Sequence, residues 1–289
     1  MNAISLDLSG KLPPEEVAVF RLISDVAAHE HVLFFVVGAK ARDLILHYAY
    51  GIPQYRATND IDFGLLMSAW DEFDRLKRAL LATNKFTTHP RMEHRLLSDE
   101  LSAIIDLVPF GEIENPKGVV AWQPDFTTRM STLGFREAWQ TSVRVRLAEV
   151  LEVAVASPAG LALLKLVAWD DRHYQRDAQD LGLLLSAYLD AGHAEELYGE
   201  RAEHADLLDD PKFDYEHASA RILGRDMAAI MSGESRSTIE RILAEETNEA
   251  GHLRLATEMT SGAHFLEGTD RTLIMLRQLL QGVKDRARR

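Results

Sequence analysis

The sequence predicts an α+β fold, in which an N-terminal mixed sheet with flanking helices precedes a C-terminal helical bundle. Up to residue 156, short runs of β-branched and aromatic residues such as Val32–Val37 alternate with amphipathic helical segments. From Pro158 onward the apolar spacing is almost entirely helical. We therefore expect two domains, residues 1–156 and residues 157–289.

Local patterns predict each element of the first domain in turn. Apolar residues at helical spacing indicate helices, and β-branched or aromatic runs indicate strands. Glycine, proline and asparagine between these runs mark loops. In chain order we expect a helix at 15–30, a strand at 32–37, a helix at 39–49, a loop at 50–59, a strand at 60–66, a helix at 69–83, a strand at 101–111 and strand-type segments within 143–156.

The second domain starts at Ser157-Pro158, a serine cap followed by proline at the first helical position. No repeat and no low-complexity tract interrupts the pattern that follows. The predicted helices lie at 158–191 and within 193–208, 215–232, 236–249 and 268–284.

Composition narrows the class of protein. The 289 residues are 46% hydrophobic and 27% charged, which is typical of a soluble globular protein, and no apolar stretch is long enough to span a bilayer. The start of the chain lacks the features of a signal peptide, so we expect a cytoplasmic protein that does not bind membranes. The absence of cysteine excludes disulfides and thiolate chemistry, and the net charge of −13 opposes general coating of nucleic acid.

Three aspartates lie inside apolar runs where a buried charge is costly. Asp60 and Asp62 alternate with Ile61 on one predicted strand, and Asp106 lies in the middle of another. If these strands pair, three carboxylates converge, and a hard divalent cation such as Mg²⁺ would keep them ionised. The alternative is that they are unrelated aspartates at a strand end, at a sheet edge and on a half-exposed surface.

Two further features suggest phosphate binding. Gly38 ends a strand and begins a helix, where exposed backbone N–H groups attract phosphate. In a single helix from residue 158 onward, side chains at spacings of three and four form one stripe, whose members are Lys165, Trp169, Arg172, Arg176 and Asp180. An anion opposite the three cations is one interpretation, and a solvated face with local ion pairs is the other.

These motifs resemble the polymerase-β-type nucleotidyltransferase superfamily. The segment Val37–Leu46 is similar to the glycine motif of tRNA nucleotidyltransferases. The segments "RATNDIDF" and "LLKLVAWDDRHYQRDAQDL" are closer to the AbiEii-like nucleotidyltransferases of abortive-infection and toxin–antitoxin systems. The resemblance covers about residues 30–190 and departs from the family pattern at Ala39, where glycine or serine is usual.

The resemblance implies a site and a reaction. Asp60, Asp62 and Asp106 would bind Mg²⁺ or Mn²⁺, and together with Lys165 they would be the catalytic residues. The nucleotide-binding residues would be Gly38, Ala39, Lys40, Arg42, Lys165, Arg172, Arg176, Asp177 and Asp180. The reaction would transfer a nucleotidyl group from a nucleoside triphosphate such as ATP to an acceptor hydroxyl and release pyrophosphate.

The acceptor stays open at this stage. The family suggests RNA, such as a tRNA end, or a protein, and it implies a toxin with a cognate antitoxin. A small acceptor of the aminoglycoside type is an alternative that would suit the acidic charge. A binding module that retains the fold without activity is another, and Ala39 is the feature in its favour.

Overall fold

The structure is a computed structural model that describes residues 5–56, 58–200, 202–248, 250–261 and 268–285. The chain forms two compact units. The first unit runs as far as Leu44 and resumes from Arg56 to Ser157. The second unit takes the short stretch Ile45–Tyr55 and everything from Pro158 onward.

The first unit contains ten strands and four helices among its described residues. They are β1 (Ser5–Asp7), α1 (Pro14–His29), β2 (Leu33–Val37), α2 (Gly38–Arg42), β3 (Asp60–Met67), α3 (Trp70–Ala82), β4 (Thr87–Thr88), β5 (Arg95–Ser98), β6 (Ala103–Gly111), β7 (Val119–Ala121), β8 (Arg129–Ser131), α4 (Phe135–Gln140), β9 (Val143–Ala148) and β10 (Leu151–Val155). The prediction of an α+β fold with a mixed sheet is confirmed.

Eight of the strands form one mixed sheet in the order β1-β9-β10-β2-β3-β6-β5-β4. In its centre β2 pairs with β3 antiparallel, and β3 pairs with β6 parallel. Strand β5 then adds to β6 antiparallel. The strands that contain the conspicuous aspartates are therefore direct neighbours.

Aromatic side chains cover both faces of this sheet. On one face Phe20 of α1 meets Phe63 of β3, with ring centroids 6.0 Å apart. On the other face Phe35 of β2 meets Phe110 of β6 at 5.6 Å. Since successive strand residues point to opposite faces, Asp62 lies on the face opposite to Phe63 and α1.

The second unit is helical. Its helices are α5 (Pro158–Arg172), α6 (Gln175–Ala187), α7 (Ala194–Tyr198), α8 (Tyr215–Ile230), α9 (Gly233–Glu246), α10 (Arg254–Thr260) and α11 (Thr269–Asp285). A π-helical segment, Leu189–His193, lies between α6 and α7. Of the predicted helical ranges, Arg201 and Glu249 lie outside the described residues. Among the described residues, no helix is both long and apolar enough to cross a membrane.

The prediction of one helix over residues 158–191 is wrong. The chain leaves the helix after Arg172, His173 takes a left-handed backbone conformation with φ of +50°, and a new helix starts at Gln175. Residues of α5 and α6 therefore do not share one helical stripe, and the spacing of Lys165, Arg172 and Arg176 cannot be interpreted on a single helix.

Helices α8 and α11 approach closely because glycines lie at their contact. A Cβ atom added to Gly282 would lie 2.0 Å from the backbone oxygen of Arg221, and one added to Gly224 would lie 2.2 Å from the backbone oxygen of Leu279. No rotation of a side chain relieves a clash with backbone, so the two helices must separate to accept either methyl group.

We expect Gly282→Ala to lower the free energy of unfolding by about 1–3 kcal/mol, the usual cost of overpacking. The measurement is urea unfolding followed by circular dichroism. Gly233→Ala is the matched control, because a Cβ at Gly233 meets no atom within 4 Å. Equal stability of the two variants would contradict close packing of α8 on α11.

Candidate active site

Three neighbouring strands, β3, β6 and β5, place charged residues in one row across the sheet. Asp62 pairs with Val37 of β2 on one side and with Asp106 of β6 on the other. Asp106 in turn pairs with Arg95 of β5. Paired residues share a face, with Cβ atoms about 5 Å apart, so Asp62, Asp106 and Arg95 project side by side. Asp60 lies two residues before Asp62 and therefore joins the same face.

Arg95 holds two of the three carboxylates. Its Nε donates to Asp106 Oδ1 at 2.7 Å, and its Nη2 donates to Asp106 Oδ2 at 2.6 Å. The same Nη2 lies 3.4 Å from Asp60 Oδ2. Hydrogen bonding to Asp106, with the nearby charges of Asp60 and Asp62, raises the pKa of Arg95. A permanent cation therefore balances part of the aspartates' negative charge.

Gly38 brings a backbone turn against Asp62. Its φ of +68° is favoured by glycine alone, and a Cβ built on it would lie only 2.0 Å from Asp62 Oδ2. The Asp62 carboxylate thus occupies the space that the Cβ atom of any other residue at position 38 would fill. The structure brings together the glycine turn and the strand aspartates that the sequence singled out.

The other predicted residues of the glycine motif are buried. Lys40 is 4% exposed and its Nζ lies 3.0 Å from Glu16 Oε1. Arg42 is 1% exposed, and its Nε donates to Asp43 Oδ1 at 2.8 Å. Ala39 is also buried. In this structure, then, Lys40 and Arg42 are engaged by carboxylates.

In the second unit, the predicted residues of α5 and α6 form a buried ion cluster. Lys165 Nζ lies 2.9 Å from Asp177 Oδ1 and 2.6 Å from Asp180 Oδ2. The hydroxyl of Tyr55 donates to Asp180, which has no exposed surface. Burial by itself would lower the pKa of Lys165, but the charges of Asp180 and Asp177 outweigh it and the pKa is raised.

One of the predicted arginines, Arg172, lies at the edge of this cluster. Arg172 donates from Nε to Asp177 Oδ2 at 2.8 Å, and its guanidinium lies 5.0 Å from the centre of the Tyr174 ring. Arg172 and Arg176 are both exposed. The break at His173 therefore leaves these two guanidinium groups at the surface of the second unit while Lys165 is enclosed.

Sequence reasoning missed Arg95 and Tyr55. A signal for Arg95 exists in "RLLSDELSAIID", where two apolar runs flank a four-residue loop. A hairpin closed by that loop pairs Ser98 with Ala103 and therefore Arg95 with Asp106, as observed. Tyr55 has no comparable signal, since it reaches Asp180 across 125 residues of sequence.

The aspartates have the donor chemistry of a hard divalent cation. Three carboxylates on one face of adjacent strands supply only oxygen ligands, which Mg²⁺ and Mn²⁺ prefer. The guanidinium of Arg95 already lies among these oxygens, which indicates that the site attracts positive charge. The residues present therefore fit such an ion.

A glycine turn set against aspartates on neighbouring strands is the arrangement that the resemblance to nucleotidyltransferases predicts. A family described as nucleotidyl transferase AbiEii toxin, type IV toxin–antitoxin system, matches residues 18–252. This is most of the chain, and the protein belongs to that family. The predicted resemblance and the enzyme class that this family defines are confirmed. An antitoxin partner stays a prediction.

The solved structures that match this chain include CCA-adding enzymes and a tRNA-processing enzyme. A CCA-adding enzyme with ATP is 17% identical over 92% of this chain and 66% of its own, with a TM-score of 0.32. A tRNA-processing enzyme in an apo form is 11% identical over 94% and 91%, with a TM-score of 0.32. The Thermotoga maritima CCA-adding enzyme complexed with tRNA is 14% identical over 92% and 67%, with a TM-score of 0.34. This chain thus spans less than two thirds of the first of them, and no curated protein matches it.

Proposed function

We propose that this protein transfers a nucleotidyl group from a nucleoside triphosphate to an acceptor hydroxyl, using a divalent ion held by Asp60, Asp62 and Asp106. The observation that supports it is the row of carboxylates beside the Gly38 turn, in a family of nucleotidyltransferases. Mg²⁺, or Mn²⁺ in its place, would neutralise the charge of the triphosphate and of the departing pyrophosphate.

The protein's own groups position the reactants. Asp106, which is buried and accepts hydrogen bonds from Arg95, would accept a hydrogen bond from the acceptor hydroxyl and take its proton. The turn at Gly38 would direct backbone N–H groups at phosphate oxygens. No residue forms a covalent intermediate, because positioning and charge stabilisation supply most of the catalysis in phosphoryl chemistry.

The second unit's part in nucleotide binding stays a prediction. The resemblance assigns phosphate contacts to Lys165, Arg172 and Arg176, with Asp177 and Asp180 beside them. The enclosed ion cluster supports a different division of labour within that set, in which Lys165, Asp177 and Asp180 hold the helices together and the exposed arginines meet phosphate.

We propose RNA, and in particular a tRNA end, as the acceptor in the cytoplasm. The motif around Gly38 resembles that of tRNA nucleotidyltransferases. A net charge of −13 disfavours a broad RNA footprint, so contact limited to a short terminus suits this protein better than binding along a duplex.

The test is incubation of the purified protein with each α-labelled nucleoside triphosphate, Mg²⁺ and total RNA. Label on RNA that depends on Mg²⁺ is the expected result. Label on the protein alone would overturn RNA as the acceptor, and no transfer to RNA, protein or added aminoglycoside would overturn the proposed reaction. RNA transfer should also weaken steeply as salt rises, whereas transfer to a small acceptor should not.

Arg95 gives a prediction about metal dependence. Without its guanidinium the carboxylates of Asp60 and Asp106 lose their permanent counter-ion, so the variant should depend more on a bound cation. We expect Arg95→Gln to show a larger rise in thermal midpoint on addition of Mg²⁺ than the wild type does. Arg91→Gln, at an exposed position four residues away, is the control. The same Mg²⁺ response in both variants would contradict the prediction.

A further inference from the structure

A second cluster of potential metal ligands lies in the helical unit and shares no residue with the aspartate site. Among the described residues, His193, Glu196 and Asp226 form the one trio of His, Asp or Glu side chains whose ligand atoms all lie within 4.8 Å of one another. His193 Nδ1 lies 3.0 Å from Glu196 Oε1. Atoms bound to a common ion at about 2.1 Å are separated by about 3.0–3.4 Å, so this spacing suits two ligands of one metal.

The backbone conformation before α7 brings His193 close to Glu196. The segment before α7 contains two residues with non-helical backbone angles, Ala191 and Gly192, and Gly192 has a φ of +96°. The chain turns there, so His193 faces Glu196 on the first turn of α7. Asp226 reaches the same point from α8.

The buried residue Tyr188 contacts two of the three side chains, those of His193 and Asp226. The ring of Tyr188 stacks on the imidazole of His193, with centroids 3.9 Å apart and planes 12° from parallel. The hydroxyl of Tyr188 donates to Asp226 Oδ2 at 2.7 Å. Supporting contacts of this kind orient the ligands in metal sites.

His204 lies close to the third group, Glu196. Arg225 can only donate, so the contact of 3.2 Å between Arg225 Nη1 and His204 Nδ1 makes Nδ1 the acceptor and places the proton of a neutral ring on Nε2. That Nε2 lies 3.9 Å from Glu196 Oε2. His204 therefore lies beside Glu196 at a distance too long for a direct hydrogen bond, and its protonated Nε2 is not available to bind a metal.

The negative charge of the carboxylates in this cluster is not fully balanced by the groups around them. Glu196 Oε2 is shielded from solvent and accepts no hydrogen bond from any described residue. The guanidinium of Arg225 is nearby, but it is held by Asp206 and by Asp285.

We infer that His193, Glu196 and Asp226 bind one transition-metal ion of the Zn²⁺ class that fastens the 189–198 segment to α8. One imidazole nitrogen and two carboxylate oxygens suit Zn²⁺ or Co²⁺, whereas Mg²⁺ prefers oxygen ligands alone. His193 would bind through Nδ1, and the partial exposure of His193 and Glu196 leaves room for a water ligand. The site is structural and does not depend on the proposed reaction.

The test starts from full-length protein stripped with chelator. Calorimetric titration with Zn²⁺ should give one equivalent of binding in the wild type, and Co²⁺ should give a visible absorption band. His193→Gln and Glu196→Gln should each weaken Zn²⁺ binding by more than about 10-fold, because even the loss of a group that only supports a ligand has an effect of that size. Addition of Zn²⁺ should raise the thermal midpoint of the wild type and should leave that of the two ligand variants unchanged.

Two control variants separate the site from other histidines and carboxylates. Glu195→Gln changes the exposed neighbour on α7, and His252→Gln removes an exposed histidine of the same unit. Both should bind Zn²⁺ like the wild type. Absence of stoichiometric Zn²⁺ binding and of a Co²⁺ band in the wild type would overturn the inference, as would unchanged binding in both ligand variants.

Discussion

Asp62→Asn is expected to abolish nucleotidyl transfer while the protein stays folded. The asparagine has the same shape, so it fits beside the Gly38 turn and against Asp106 on the neighbouring strand. It removes one of the three charges that would hold the divalent ion. Losing several kcal/mol of charge stabilisation corresponds to a decrease of at least about 10³-fold in rate. The measurement is Mg²⁺-dependent transfer of labelled nucleotide.

The control for this variant is a change of the same type elsewhere in the first unit. Asp25→Asn removes one negative charge from an exposed position on α1 and should leave transfer unchanged. The thermal midpoint of Asp62→Asn should equal or slightly exceed that of the wild type, because one of several adjacent like charges is lost. Turnover at the wild-type rate in Asp62→Asn would overturn the metal-binding role.

The aspartate face could be predicted because its signal is local. Alternation in "DIDF" and "IIDLV" places Asp60, Asp62 and Asp106 on single faces of their strands whatever the rest of the fold does. To bring the three aspartates together, the prediction needs in addition only that β3 pairs with β6, and the burial of both strands favours this pairing. The glycine turn is likewise local, since positive φ at Gly38 follows from the end of a strand and the start of a helix.

The break between α5 and α6 could not be predicted in this way. The segment around His173 has no glycine or proline, and its propensity for helix is continuous. In one unbroken helix, residues 165 and 177 would be about 18 Å apart along the axis. Their side chains instead lie 2.9 Å apart, so the reversal at His173 goes together with the ion cluster that it closes. The contacts between α5 and α6 determine where the chain reverses. The spacing of apolar residues in the sequence carries no information about these contacts.

Lys165→Met is expected to cost about 3–5 kcal/mol of unfolding free energy. The methionine fills the space of the lysine stem, but Asp177 and Asp180 lose a cation inside an enclosed cluster. Tyr55 donates to Asp180 and Arg172 donates to Asp177. Neither of these groups replaces the Lys165 ammonium, which contacts both aspartates. Urea unfolding measures the loss, with exposed Lys212→Met as the matched control.

A compensated variant separates a structural lysine from one that acts only on phosphate. Adding Asp177→Asn and Asp180→Asn to Lys165→Met removes the unpaired charges, so the triple variant should be more stable than the single one although it carries more substitutions. If Lys165 served phosphate alone, Lys165→Met would unfold at the wild-type urea concentration and the two asparagines would add nothing. Recovery of stability without recovery of transfer would mean that Lys165 holds α5 to α6 and that nucleotidyl transfer also needs the charge of at least one of the three groups.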